Sequence, residues 1–148
     1  MKMTEQEFDE LEKVFDYYHS GYQCAQVMLL YALELLGKEN PDLVRSLGGL
    51  NKGISDYQQV CGCLSGGACL ISYFAGKGSE QESAQPELEP MLKELVDWFK
   101  EFNNDHNGSV ICHELLDDDL SVRAKVCPLL IINTLHKCIE MLERNELV

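Results

Sequence analysis

The uncharged stretch Tyr57–Gly76 constrains the fold of this 148-residue chain more than any other feature. Its length would allow it to cross a bilayer, but its glycines, glutamines and serines make its mean hydropathy too low for a lipid-facing helix. The part from Val60 to Phe74 is typical of a helix buried inside a protein. Its small residues would let another backbone approach closely: Gly62, Gly66, Gly67 and Ala68. We therefore predict that this segment forms a helix at the centre of the fold.

Most other segments carry helical patterns. Thr4 and Glu7 form a capping box before apolar residues at helical spacing. A second, almost wholly apolar helix is predicted over Tyr22–Leu36, and Asn40-Pro41 predicts the start of a third. No segment alternates between apolar and polar residues as a strand does. We predict one all-α domain over residues 1–148, a bundle of about five to seven helices with segments 22–36 and 60–74 at its centre.

Three further helices are predicted in the second half of the chain. Apolar residues recur at helical spacing over Leu88–Phe102, which indicates a long amphipathic helix. Ser109 is a candidate cap for a short helix that carries Cys112. Pro128 suits the first position of the last helix, so Cys127 is predicted at that helix's N-terminus.

The charge balance disfavours two classes of partner. The chain has 12 basic and 25 acidic residues, which gives a formal net charge of −13. Phosphate binding depends on clustered lysine and arginine, so we expect no nucleic-acid partner. An anionic membrane surface is disfavoured for the same reason. Because the acidic, polar N-terminal segment lacks the features of an export signal, we expect a cytoplasmic protein.

The seven cysteines indicate where the chemistry lies. In a reducing cytosol static disulfides are disfavoured, whereas metal binding and redox chemistry are favoured. Cys69 and Cys138 lie inside apolar helical segments and are interpreted as core residues. Four others fall at or near predicted helix starts: Cys24, Cys61, Cys112 and Cys127. At such positions backbone N–H groups stabilise a thiolate and lower the pKa of the thiol.

The spacing of the cysteines does not identify the kind of site. There is no Cys-x-x-Cys pair, so thioredoxin-like and zinc-ribbon motifs are absent, as is the attachment motif of c-type haem. Inside a regular helix, Cys61 and Cys63 would point about 200° apart and could share a ligand only if the segment were a loop. Common nucleotide-binding, hydrolase and zinc-protease motifs are also absent.

Four sequence elements together carry a family resemblance. They are Gly21-Tyr22-Gln23-Cys24-Ala25-Gln26, Cys61-Gly62-Cys63-Leu64-Ser65-Gly66-Gly67, Cys112-His113-Glu114-Leu115-Leu116 and Cys127-Pro128-Leu129-Leu130. Over about residues 18–142 they resemble, in the same order, the C_GCAxxG_C_C family of small proteins with four cysteines and an inferred redox activity. Cys63 stands where the family has alanine if Cys61 is the family cysteine. We prefer Cys61, because Gly66 then matches the last glycine of the motif, and keep Cys63 in reserve.

The resemblance implies that four redox thiols converge: Cys24, Cys61, Cys112 and Cys127. A similar domain in split-Soret cytochromes accompanies haem and an iron–sulfur cluster. Four thiolates can hold an iron–sulfur cluster, cycle between dithiol and disulfide with an unidentified redox partner, or bind zinc. The alternative is an interaction module without chemistry. We also expect a homodimer formed through the glycine-rich helix.

Overall fold

Seven α-helices make up most of residues 2–148, the part of the chain that the computed structural model describes. In chain order they are α1 (Glu5–His19), α2 (Cys24–Leu35), α3 (Pro41–Leu47), α4 (Gly62–Ala75), α5 (Leu88–Phe102), α6 (Cys112–Leu115) and α7 (Arg123–Arg144). These residues form no β-sheet, and their β pairing is limited to one antiparallel bridge between Val60 and Ile111. The predicted all-α fold is therefore confirmed.

Helix α4 lies at the centre and packs against α2, α5 and α7. Its glycines permit close approach to these neighbours. A β-carbon at Gly66 would lie only 2.9 Å from the Cα of Ala25, and one at Gly67 would lie 3.2 Å from Cγ2 of Thr134. Helix α2 is buried along most of its length. The structure thus confirms that the two apolar segments form the centre of the fold.

The small residues of α4 face other helices of the same chain. Gly62 and Gly66 lie against α2, whereas Gly67 lies against α5 and α7. We expected this small-residue face to support a homodimer. That reason does not hold, because the face is already covered within one chain. The homodimer itself stays a prediction.

The predicted starts of α1 and α3 are confirmed. Oγ1 of Thr4 accepts a hydrogen bond from the N–H of Glu7 at 3.2 Å, and the Glu7 carboxylate accepts one from the N–H of Thr4 at 2.7 Å. Oδ1 of Asn40 accepts from the N–H of Leu43 at 3.2 Å, and Pro41 is the first residue of α3. At both helices, local side-chain caps satisfy N–H groups that the helix leaves free.

Two predicted helix starts in the last third of the chain are wrong. Ile111 rather than Ser109 precedes α6, and the Ser109 hydroxyl accepts from the N–H of Ile111 at 3.1 Å. Helix α7 begins at Arg123, so Pro128 lies in its second turn and Cys127 is not at its N-terminus. A short 3-10 turn leads straight into α7, and the helix therefore starts before the proline. It loses one backbone hydrogen bond at the proline, which has no N–H.

The uncharged stretch Tyr57–Gly76 is divided between a loop, the β bridge and α4. The helix begins at Gly62 rather than at Val60, because Val60 pairs with Ile111 and Cys61 precedes the first helical residue. To cross a bilayer, a helix would have to be longer or more apolar than any found in residues 2–148. From Cys61 onward most of the stretch is buried, whereas Gln58, Gln59 and Val60 are exposed.

Candidate functional site

Three of the predicted cysteines lie at the N-terminal ends of helices. Cys24 is the first residue of α2, Cys61 immediately precedes α4, and Cys112 is the first residue of α6. Their side chains are all buried, with relative exposures of 8%, 6% and 9%. The three positions predicted from helix starts are therefore correct, whereas the one predicted for Cys127 is not.

The isolated β bridge brings Cys61 and Cys112 together. The N–H of Cys61 donates to the carbonyl of Val110 at 2.8 Å, and the N–H of Cys112 donates to the carbonyl of Gln59 at 2.9 Å. Side chains alternate between the two faces of paired strands, so Cys61 and Cys112 share one face as diagonal neighbours. Backbone pairing thus positions the starts of α4 and α6 beside each other.

The sulfur of Cys24 packs against the first residue of α4. A β-carbon at Gly62 would overlap with Sγ of Cys24 and would lie 3.1 Å from the carbonyl oxygen of Leu50. Only glycine leaves room for this sulfur at that position. The Cys24 thiol therefore lies next to the backbone that follows Cys61.

The loop that precedes the β bridge, around Gly53, packs against Cys112. A β-carbon at Gly53 would lie 2.8 Å from Cβ of Cys112 and 2.7 Å from the carbonyl oxygen of Gln59. Around it, several residues other than glycine have positive φ angles: Lys52, Ile54, Ser55 and Tyr57. Each such residue costs on the order of 1 kcal/mol, so the contacts around the loop must offset this strain.

One of these contacts joins the loop to the start of α2. Oδ1 of Asn51 accepts from the N–H of Ala25 at 3.1 Å, and Nδ2 of Asn51 donates to Oε1 of Gln26 at 3.0 Å. The backbone of Lys52 in the same loop lowers the pKa of the Cys24 thiol and so opposes part of the rise that burial causes. Asn51 thereby fixes the loop to the helix that carries Cys24.

Cys61 has the electrostatic surroundings of a thiolate. Its backbone lies outside the helix (φ −52°, ψ 131°), so Cys61 is the residue that precedes the first turn of α4. The pKa of Cys61 is lowered mainly because the thiol of Cys63 donates towards its sulfur, with help from the N–H groups of Cys63 and Leu64. These N–H groups fall short of full capping geometry, but they still favour the charged form. The two thiols can face each other because only Cys63 belongs to the helix.

The pKa values of the other cysteines are raised. Burial raises the pKa of Cys24, and it raises the pKa values of Cys112 and Cys127 to about 12. The pKa of Cys63 lies well above its ordinary value, because its proton is shared with Cys61 and because it is buried. We expected helix starts to lower the pKa of all four predicted thiols. This is wrong for Cys24 and Cys112, where burial outweighs the helix terminus, and for Cys127, which is not at one.

The charge of Cys61 also acts on four other thiols. A negative charge on Cys61 raises the pKa of each of them: Cys24, Cys63, Cys112 and Cys127. A Coulomb interaction weakens with distance, and these four thiols lie within the range of Cys61. We call these five residues the thiol cluster. It includes Cys63, which the sequence interpretation held in reserve.

Cys127 is the most exposed residue of the thiol cluster. It is half-buried in the second turn of α7, where it lines a pocket of about 380 Å³ together with Tyr18 and Arg123. Burial raises the pKa of Tyr18, and so do the thiols of Cys63 and Cys24. We name this cavity the Cys127 pocket. Of the thiol cluster, Cys127 is the residue that lines it.

Sequence interpretation missed Tyr18 and Arg123. Tyr18 was assigned only to the apolar face of α1. Arg123 lies four residues before Cys127, a spacing that places both on one face of a helix. This spacing has meaning only if α7 begins before Cys127. Pro128 instead suggested that the helix begins at residue 128, so the relation between Arg123 and Cys127 was missed.

The arrangement of the side chains does not fit a preformed metal centre. Within the part of the chain that the structure describes, no group of three or more His, Cys, Asp or Glu residues is placed to hold a metal ion. All seven cysteines are free thiols. The zinc and iron–sulfur alternatives stay predictions.

The two cysteines outside the cluster fit their interpretation as core residues. Cys138 is fully buried, and its thiol donates to the carbonyl of Gly67 at 3.7 Å. Cys69 is half-buried against the core, and burial alone raises its pKa. Neither pKa responds to another thiol.

A family model described as "Putative redox-active protein (C_GCAxxG_C_C)" matches residues 22–141. The matched region contains the whole thiol cluster and confirms the resemblance seen in the sequence. Comparison with curated proteins and with solved structures gave no match.

Proposed function

The chain belongs to the C_GCAxxG_C_C family, and we propose that it is a redox protein that cycles between dithiol and disulfide states, with Cys61 as its reactive thiolate. One observation carries this proposal. Backbone pairing holds Cys61 beside Cys112 and the Cys24 sulfur packs against Gly62, and within this cluster the pKa of Cys61 is lowered whereas those of the other thiols are raised. A thiolate that is stabilised beside protonated thiols is the arrangement that thiol–disulfide exchange requires.

Cys127 is the partner that we propose for Cys61 in the disulfide. Four thiols of the cluster are buried, whereas Cys127 is half-buried and lines a pocket. In thiol–disulfide exchange, attack occurs at the accessible sulfur, and the sulfur with the lower thiol pKa leaves faster. Cys127 meets the first condition and Cys61 meets the second.

The reduction step then follows from these roles. An external thiolate attacks Sγ of Cys127; a new S–S bond forms there as the Cys61–Cys127 bond breaks, and Cys61 leaves with the electron pair as a thiolate. A second external thiolate attacks the outer sulfur of this mixed disulfide. Cys127 is released and takes a proton, and the two external thiols depart as their disulfide. The external thiols thus supply two electrons, and the protein disulfide accepts them.

A redox titration of the full chain tests the proposal. The protein is equilibrated with mixtures of oxidised and reduced dithiothreitol, and the disulfide is located by peptide mass spectrometry. We expect reversible two-electron oxidation of the wild type with a Cys61–Cys127 disulfide, and its loss in Cys61→Ser. Cys138→Ser is the matched control, since Cys138 is buried outside the cluster, and it should titrate like the wild type.

Two outcomes would overturn the proposal. The first is reversible oxidation of Cys61→Ser at the wild-type potential. The second is an iron–sulfur cluster, seen as stoichiometric iron, acid-labile sulfide and visible absorption in protein purified without oxygen. Absence of metal together with the expected disulfide would support the dithiol mechanism.

A further inference from the structure

We propose that the Cys127 pocket binds a small thiol or disulfide that carries a carboxylate, and that Arg123 binds this carboxylate. The inference rests on the proposed function and deepens it, because it names the chemical class that exchanges electrons with the thiol cluster. Its evidence is the unusual position of Arg123, the charge of the pocket lining and the size of the pocket.

Arg123 differs from the other arginines of the chain. Arg45 forms an ion pair with Asp42 at 2.6 Å, and Arg144 forms one with Glu94 at 2.5 Å. Within residues 2–148, no carboxylate lies at ion-pair distance from Arg123. Its Nη1 instead donates to the hydroxyl of Tyr57 at 3.0 Å, and its guanidinium lies 5.3 Å from the centre of the Tyr57 ring.

This environment leaves Arg123 able to bind an anion. A guanidinium has five N–H donors and pairs with a carboxylate through two parallel hydrogen bonds. The chain has 25 acidic residues, yet none of them forms an ion pair with this half-buried arginine in the described residues. The ring and the hydroxyl of Tyr57 contact its guanidinium instead. Tyr57 thus fixes the position of the guanidinium without neutralising its charge.

The rest of the pocket lining is also suited to negative charge. None of its lining residues is acidic, although the chain carries a net charge of −13. His19, Ser121 and Arg123 are among them, and helix α7 begins there. No side chain caps this helix start, and the N–H of Arg123 donates to the carbonyl of Leu120 in the preceding 3-10 turn. Among the side chains that line the pocket, Arg123 therefore carries a positive charge and none carries a carboxylate.

The size of the pocket points to a small molecule. Its volume of about 380 Å³ lies near the lower end of the usual range for ligand sites. Tyr18 and Pro128 provide apolar walls, and Cys127 is the sulfur that the pocket exposes. A carboxylate on Arg123 would leave the sulfur end of a short thiol beside Cys127, where the exchange described above begins.

The test compares three thiols of similar size and different charge. Oxidised full-length protein is reduced with 3-mercaptopropionate, 2-mercaptoethanol or cysteamine, and each rate is expressed per thiolate and divided by the rate of the same thiolate with an uncharged small disulfide, so that differences in thiol pKa and in nucleophilicity do not enter. We expect the anionic thiol to react about tenfold faster than the neutral one, because a charge-assisted hydrogen bond contributes at least this much. The overall negative charge predicts the opposite order, so this result would require a local positive site.

Two variants distinguish the effect of a charge inside the pocket from the effect of the net charge of the protein. Arg123→Gln should lose the preference for the anionic thiol and should retain reduction by 2-mercaptoethanol. Lys125→Gln removes the same charge from the same turn of α7, but Lys125 is exposed and outside the pocket lining. It should keep the preference.

The outcomes distinguish this inference from the proposed function. Equal normalised rates for the three thiols in the wild type would overturn the inference and leave the redox function intact. Equal loss of the preference in Arg123→Gln and Lys125→Gln would also overturn it. Failure to form the Cys61–Cys127 disulfide at all would instead overturn the proposed function. The wild-type comparison needs no variant, so it holds even if Arg123→Gln does not fold.

Discussion

At the scale of the residue, the cluster depends on the different surroundings of chemically identical side chains. Cys61 precedes its helix, and its sulfur faces donors, whereas Cys63 lies two residues later inside the helix and serves as one of those donors. The two thiols titrate as a pair, and the first proton leaves Cys61 because its charge is the better stabilised. Two cysteines that are close in sequence thus have opposite pKa shifts, because one precedes the helix and the other belongs to it.

The raised pKa values predict how stability depends on pH. Burial raises the pKa values of Cys112 and Cys127 from 9.0 to about 12 in the folded protein. Between these values the unfolded chain releases protons that the folded chain retains, so the free energy of unfolding falls as pH rises from about 9 towards 12. Their contribution is fully present below pH 9, where both states are protonated. For Cys61 the shift is opposite, and its contribution is lost as pH falls through its folded pKa.

We therefore expect Cys127→Ser to have a weaker pH dependence of stability than the wild type. Urea unfolding of the reduced proteins at about pH 8 and about pH 10 measures the difference. The wild type should lose about 1 kcal/mol more than the variant over this interval, since one pKa unit corresponds to ~1.36 kcal/mol. Parallel losses in the two proteins would contradict burial as the cause of the Cys127 shift.

At the scale of the element, the contact between α2 and α4 positions the cluster, and Gly62 is its critical residue. Gly62→Ala would place a β-carbon in the space of the Cys24 sulfur and 3.1 Å from the carbonyl of Leu50. Overpacking of this kind costs about 1–3 kcal/mol. We expect this loss in urea unfolding, together with a changed redox potential, because the sulfur must move.

Gly49→Ala is the matched control for that prediction. A β-carbon at Gly49 would have no neighbouring atom within 4 Å, and the φ angle of Gly49 is not positive, so alanine should fit. Partial recovery of stability in the double variant Gly62→Ala with Cys24→Ala would locate the strain at the sulfur. An unchanged stability of Gly62→Ala would show that α2 and α4 can separate freely.

Helix identity was predictable from the sequence, whereas the exact helix starts were predictable only where local side chains determine them. Thr4 and Asn40 cap their helices through contacts within a few residues, and both were predicted correctly. The start of α7 depends on how the preceding turn packs, so Pro128 gave the wrong boundary. The lowered pKa of Cys61 likewise arises from the thiol and N–H of Cys63 and the N–H of Leu64 at a helix start whose geometry no local pattern encodes.

At the scale of the whole molecule, acidic residues outnumber basic ones by 25 to 12. Some acidic side chains are paired, as Glu94 is with Lys137 at 3.0 Å and with Arg144 at 2.5 Å. Exposed pairs of this kind contribute at most about 1 kcal/mol each. Repulsion among the remaining carboxylates acts across the entire surface and destabilises the compact state. The balance between these two effects decides how the protein responds to salt.

We expect sodium chloride to stabilise the protein, because screening weakens the repulsion more than it weakens the few ion pairs. Raising its concentration from about 0.01 M to about 0.15 M shortens the Debye length from ~30 Å to ~8 Å. Urea unfolding measures the effect without adding charge through the denaturant. Glu94→Gln serves as the comparison, since it removes the paired carboxylate and should gain at least as much stability from salt as the wild type does. A fall in the free energy of unfolding with added salt would mean that the ion pairs, rather than the net charge of −13, dominate the electrostatics of the fold.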